Sequence, residues 1–283
     1  MAARGISLHI GVNHPDPKLF RELRPLRACE NDAHAMEALA REQRFDTRWT
    51  LTGEAATEPQ AKEKIRDAAG LVGSDGLFLL TFSGHGSRVA DQDGDEGDGY
   101  DETWCLFDGE LVDDDLFRLW GEFPRGARIV VLSDSCHSGT VIRTGERKDG
   151  AAARDRAPVL RGGQRREMPE ARCRPPGVGR RFADGTVAEV GASVLLLSAA
   201  LDSQTAADGP RYGAFTGALL EAWDGGGFTG TYGDLQARIY QGVRRRRLTQ
   251  EPGLERAGVR NDDFEAQRPF TIEPPPAGIV RHG

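Results

Sequence analysis

The chain has 283 residues, 38% of them hydrophobic, with a formal net charge of −7. That is enough apolar content for one large α/β domain or two smaller ones, and no apolar run reaches membrane-spanning length. Four cysteines without CxxC spacing exclude a disulfide framework and fit a reducing compartment. The acidity is local. Residues 91–115 hold twelve carboxylates and no lysine or arginine, and the remainder carries 32 acids against 37 bases, which excludes an acidic tail or a solvating disordered chain.

The first residues, 1–5, run into a strand-like segment without a signal-peptide core, so a soluble cytoplasmic protein is expected. Residues 6–12, ISLHIGV, alternate as a strand. Residues 29–45 place Ala35, Met36, Leu39 and Ala40 at helical spacing, with Asn31 or Asp32 as a cap. TRWTL is a short strand, and EPQAKEKIRDAAGLV is a second helix with Pro59 near its start. DGLFLLTFSGHG is a buried strand entering a glycine turn. ETWCLFD is another short strand, DDDLFRLWGEF a short helix, and ARIVVLSD and ASVLLLSAA are central strands. Residues 143–184 are rich in Arg, Gly, Pro and Ala and lack a hydrophobic period, as a long loop does. GAFTGALLEAW and TYGDLQARIYQGVRRRRL are helices, and 273–283 reads as a loose tail. Strands apolar throughout that alternate with helices call for a sheet covered on both faces.

Two strands end in chemically loaded turns: TFSGHGS with His85 and LSDSCHSG with Cys136. Sites in open α/β sheets form beyond the carboxyl ends of strands. If the two strands are parallel neighbours, thiol and imidazole emerge at one edge, the minimum for nucleophilic catalysis. Taken singly, a cysteine at a strand end is a small hydrophobe and a histidine in a glycine turn is a surface group. Together, at two strand ends 51 positions apart, they point to a dyad. His137 adjoins the thiol, but neighbours on an extended segment face opposite sides, which favours His85. The amides of Gly86 and Cys136 are candidates to face a developing oxyanion. Asp134 shares the strand face of Cys136. A carboxylate there raises the thiol pKa unless a cation offsets it, and a basic substrate side chain is one such cation. The alternative is that Asp134 caps a nearby backbone N–H.

The stretches LRACENDAHAM, FSGHGSRVADQDGDEGDGYDE, LVDDDLF, VVLSDSCHSGT, SAALDSQTAAD, GAFTGALL and QEPGLE resemble, in order over about residues 6–272, the caspase-like cysteine peptidases of clan CD (peptidase family C14). They are most similar to the metacaspases and their bacterial relatives, because DSC stands where true caspases carry QAC. The resemblance implies a caspase-like three-layer α/β/α sandwich around a mostly parallel central sheet. It implies a single peptidase domain, with a large-subunit-like part (6–142), a linker (143–184), a small-subunit-like part (185–272) and a tail. By the same resemblance His85 is the general base and Cys136 the nucleophile. Asp32 and Asp134 form an acidic S1 pocket, and cleavage follows Arg or Lys in protein or peptide substrates. Cys29 matches a second cysteine near that pocket, although read by itself it is a packing residue. A monomer is also implied.

Asp91, Asp93, Asp95 and Glu102 fall at EF-hand loop positions 1, 3, 5 and 12, but Glu96 occupies position 6, where the turn needs glycine, so an EF-hand is excluded. The resemblance instead implies a calcium site with Asp101, Asp113 and Asp114. Its fourth acid is replaced by Arg143, leaving Asp98 or Asp115 as substitutes or the site absent. The linker offers Arg147-Lys148, Arg165-Arg166 and Arg180-Arg181 to an Arg-directed enzyme, so self-processing is expected. Arg244–Arg247 suit a helix C-terminus, and without a basic stripe or aromatic platform neither nucleic acid nor membrane is an expected partner. The rival reading is a non-proteolytic caspase-like scaffold or calcium-responsive interaction module.

Overall fold

The structure, a computed structural model, describes residues 4–21, 23–90, 100–135, 180–181, 187–199, 209–246, 248 and 252–274. Its first half contains β1 (Gly5–Gly11), α1 (Cys29–Glu42), β2 (Thr47–Thr52), α2 (Glu58–Val72), β3 (Leu77–Gly84), β4 (Gly86–Ala90), β5 (Tyr100–Cys105), β6 (Glu110–Val112), α3 (Asp113–Trp120) and β7 (Arg128–Ser135). There follow β8 (Arg180–Arg181), β9 (Val187–Ala188), β10 (Ser193–Ser198), α4 (Ala214–Trp223), α5 (Tyr232–Arg245), β11 (Gly253–Gly258) and α6 (Asp262–Ala266).

Six strands form the central sheet in the order β11-β10-β7-β3-β1-β2. All neighbours are parallel except β11, which runs antiparallel to β10. β3 and β7 are buried at every residue because both faces of the sheet are covered. Side-chain alternation divides the core in two. Ile6, Leu8, Phe78, Leu80, Ile129 and Val131 face α2 and α3. Leu77, Leu79, Val130, Leu132, Leu195 and Leu197 face α1, α4 and α5. The result is the expected three-layer α/β/α sandwich. Its single sheet takes strands from residues 6–142 and from residues 185–272.

The structure departs from the sequence-based expectations in several places, including β8 inside the expected loop 143–184 and α6, which has no counterpart among the expected elements. α1 begins at Cys29, so Asn31 and Asp32 sit inside its first turn rather than capping it. The cap comes from outside, with Cys29 N–H donating to Asn13 Oδ1 at 2.9 Å. The expected short strand near residue 102 belongs to a separate antiparallel sheet, β4-β5-β6. Its other strands are only five and three residues long and carry no legible period. β11 is a strand that its own Gly-Leu-Glu-Arg pattern does not announce; pairing with β10 makes it one.

Candidate active site

β3 and β7 are parallel neighbours whose register runs to Ser83 opposite Asp134 and Gly84 opposite Ser135. The strand ends that carry the two motifs therefore share one edge of the sheet. His85 follows β3 directly and is partly exposed. Its Nε2 lies 2.7 Å from the carbonyl oxygen of Arg24. A carbonyl only accepts, so Nε2 carries the proton and donates, and in the neutral ring Nδ1 is the basic nitrogen. The backbone also fixes the residue, since Cys105 N–H donates to His85 O at 2.9 Å. Gly86 opens β4 opposite Trp104. Cys136, the residue after the last one of β7, lies outside the described residues.

Asp32 and Asp134 do come together, and both are buried, at 1% and 7% exposure. Asp32 projects from α1 and Asp134 from the end of β7, on the sheet face that α1 and α4 cover. Ser83 Oγ donates to Asp32 Oδ2 at 2.7 Å. Gly213 N–H donates to both Asp32 oxygens, at 3.0 and 3.2 Å. Thr216 donates twice to Asp134 Oδ2, from its amide at 3.0 Å and its hydroxyl at 2.9 Å. These amides belong to the start of α4, whose N-cap residue Gly213 has no side chain with which to cap. A helix N-terminus leaves such N–H groups unsatisfied and is positively polarised, so it suits two neighbouring anions. A cavity of about 10 Å³ lies behind the carboxylates, lined on its polar side by Asp32, Thr81, Ser83, Asp134 and Thr216.

The expected calcium ligands lie apart from this pair. Asp113 and Asp114 form the first turn of α3, and Asp114 N–H donates to Asp113 Oδ1 at 2.9 Å. Asp101 lies on β5, and its side chain is outside the described set. β5 pairs with β6 so that Thr103 faces Val112, which brings the backbone near Asp101 close to that of Asp113. Carboxylate oxygens fit a hard cation, which takes six to eight oxygen ligands. Among the described residues no group of three metal-capable side chains forms. Asp115 is a poor substitute ligand: Lys62 Nζ sits 2.7 Å from its Oδ2 and Arg118 3.3 Å from its Oδ1. Asp98 and Arg143 lie outside the described residues.

The remaining motifs are placed as follows. Cys29 and Cys105 are buried free thiols, and burial pushes that of Cys105 far up. Arg180-Arg181 forms β8, paired with β9, while the other two linker dibasic pairs are outside the described residues. Arg246 at the end of α5 is engaged by Glu221 at 2.6 Å and by the Ala214 carbonyl at 3.1 Å. No helix among the described residues is long and apolar enough to cross a membrane. Sequence reasoning missed Arg24, Ser83, Gly213 and Thr216. Ser83 stood inside the quoted FSGHG motif and Gly213 and Thr216 inside GAFTGALL, but their contacts with Asp32 and Asp134 are long-range, and the Arg24 carbonyl leaves no trace in residue type.

The caspase-domain profile of peptidase family C14 matches residues 4–264. The chain belongs to this family. Metacaspase-4 of Arabidopsis thaliana is 34% identical over 158 residues, covering 52% of this chain and 37% of that protein. Metacaspase-1 of the same plant is 38% identical over 133 residues, covering 41% and 36%. The matched stretches thus span about a third of these curated relatives. A crystal structure of a protein from Geobacter sulfurreducens superposes with a TM-score of 0.72 and 38% identity, covering 95% of this chain and 99% of that one. Caspase-1 from Spodoptera frugiperda shares the fold, with a TM-score of 0.54 at 13% identity, covering 95% and 92%.

Proposed function

We propose that this caspase-family protein is a cysteine endopeptidase that cleaves after arginine or lysine. The observation that carries the reading is the meeting of two buried carboxylates, Asp32 and Asp134, at the sheet edge where His85 stands and where β7 ends one residue before Cys136 in the sequence. Two adjacent carboxylates held in place by amide and hydroxyl donors offer a complementary charge to a P1 guanidinium or ammonium. The cavity behind them is too small for a guanidinium, so the P1 group meets them from the rim.

In this mechanism His85 Nδ1 takes the Cys136 thiol proton, because Nε2 is held as a donor by Arg24 O. The thiolate sulfur bonds to the scissile carbonyl carbon, and the oxyanion faces the amides of Gly86 and Cys136. Collapse breaks the C–N bond, and the leaving amine takes the proton from Nδ1. Water, deprotonated by Nδ1, then hydrolyses the thioester and restores the thiol.

Four further elements belong to the proposal. Asp101, Asp113 and Asp114 would hold a calcium ion, whose charge would neutralise the acidic loop. The linker is a substrate of the enzyme itself. The protein acts as a monomer, supported by the charged edge strand β11, where Glu265 holds Arg256 bidentately at 2.7–2.9 Å. It works in the cytoplasm, supported by the two buried free thiols.

Fluorogenic peptides ending in Arg, Lys or Asp test the reading, with calcium or chelator, on wild type and Cys136→Ala. Cleavage after Arg and Lys is expected, falling by about 10³-fold or more in the variant. It should weaken under chelator, and intact mass should show linker cuts. No cleavage under any condition transfers the weight to a non-proteolytic scaffold. Cleavage after Asp sinks the acidic-pocket assignment.

A further inference from the structure

The donors that hold the carboxylates come from a part of the chain remote in sequence. Asp32 and Asp134 precede residue 136, whereas Gly213 and Thr216 follow residue 208. One oxygen of Asp134 receives two donors from a single residue, the Thr216 amide and hydroxyl. Two donors on one oxygen restrict rotation of the carboxylate, and fixing Oδ2 sets the direction of Oδ1. Gly213 has φ −56°, open to any residue, so its role is spatial. A Cβ there would lie 2.3 Å from Asp134 Oδ2 and 3.0 Å from Asp32 Oδ2. Only glycine lets the 213 amide reach Asp32 while Asp134 passes alongside.

We propose that Thr216, with Gly213 as its spacer, is the positioning residue that makes this pocket prefer guanidinium over ammonium. The inference rests on the reading of Asp32 and Asp134 as P1-binding acids. A planar guanidinium bonds bidentately and needs carboxylates of fixed orientation, whereas an ammonium is a point charge that tolerates rotation. Removing the Thr216 hydroxyl leaves that residue one donor on Oδ2 in place of two and loosens the orientation of the carboxylate. The amide bond to Asp134 remains, so the change is one of geometry rather than of fold.

The test uses the full chain with Cys136→Ala, which removes self-cleavage, and two probes, butylguanidine and butylamine, titrated by NMR. Butylguanidine is expected to bind more tightly. Adding Thr216→Val should weaken it by about tenfold, the scale of one hydrogen bond to a charged group, and bring the two probes within about twofold of each other. Thr216→Ser should restore the preference. In the Cys136-containing enzyme, Thr216→Val should raise KM for Arg peptides and leave kcat within about twofold. Unchanged probe preference in Thr216→Val overturns the proposal, as does a drop in melting temperature without a change in preference. Failure of both probes to bind overturns the proposal and the pocket assignment together. Probe data as expected, with a wild type that cleaves nothing, sustain the positioning role and sink the peptidase reading.

Discussion

β7 carries a buried charge at each end, on the same face of the sheet and six residues apart. Arg128 opens the strand at 1% exposure. Its guanidinium is wrapped by neutral acceptors: the carbonyls of Asp75 at 2.9 Å, Thr271 and Glu273 at 3.2 Å, the Ile272 carbonyl, and Gln267 Oε1 at 2.7 Å. Phe264 lies under it, 5.8 Å from ring centroid to guanidinium carbon. Asp134 closes the strand beside a second carboxylate of the same sign. A single charge wrapped in dipoles through both terminal nitrogens, with its buried Nε left without an acceptor, anchors the segment around residues 267–273 to the base of the sheet. Two like charges at a strand end are held by amide and hydroxyl donors from α4 and β3, and they stand where the proposed P1 cation would enter. The difference separates a charge that anchors the fold from a pair proposed to recognise substrate.

The largest expected effect breaks the recognising end. Asp134→Asn and Asp32→Asn each keep shape and remove one charge. Cleavage after Arg should fall by about 10²–10³-fold, the cost of removing one member of a desolvated charge pair. Thermal unfolding of the same variants should move by only a few degrees. Variants that lose stability but keep full Arg cleavage would show that these acids only cap α4, and the comparison would collapse.

Arg128→Met breaks the other end. It strands several buried carbonyls, and a buried charged network loses about 3 kcal/mol when one partner is removed. For a domain of this size the melting temperature should fall by roughly 10 °C. The Arg-to-Lys cleavage ratio of the surviving folded enzyme should match wild type. A changed ratio would mean that the two ends of β7 are coupled.

Much of this arrangement is legible in the residues themselves. The runs LFLLTFSG and RIVVLSDS declare buried parallel strands, and the bounds of α2 follow from Pro59 and its apolar period. Once those strands are neighbours, their register alone brings the two motif ends to one edge. What stays hidden depends on the main chain. The Arg24 carbonyl below His85 would be chemically the same with many other residues in place, and the need for glycine at 213 comes from the space beside Asp134, which no local pattern shows. β5 is legible in ETWC, but its partners β4 and β6 are short, and β11 becomes a strand only by pairing with β10, so none of these three shows a period. Thr216 looks like an ordinary helical residue until Asp134, 82 positions earlier, arrives beside it.

His9 offers the smallest effect and the sharpest contrast, because it is a buried titratable group that carries no charge at all. It lies across β3 from the middle of β7, since His9 pairs with Thr81 and Thr81 with Leu132. Its nitrogens meet only hydroxyls, Thr81 Oγ1 at 3.0 Å and Ser7 Oγ at 2.9 Å. Burial first, and then the charge of Arg48, lowers its pKa to about 3. The unfolded chain therefore binds a proton below about pH 6.5 that the folded chain refuses. Stability is complete above that pH and declines as pH falls toward 3. Between pH 7 and pH 5 the loss is about 2 kcal/mol. Denaturant titrations of His9→Gln over that interval should show a flatter dependence, even if the variant starts less stable at pH 7. An unchanged slope would place the acid sensitivity elsewhere, with the carboxylates at the end of β7 the next groups to examine. A flattened slope with unaltered Arg preference would show that the middle of the sheet sets acid tolerance independently of the charges at either end.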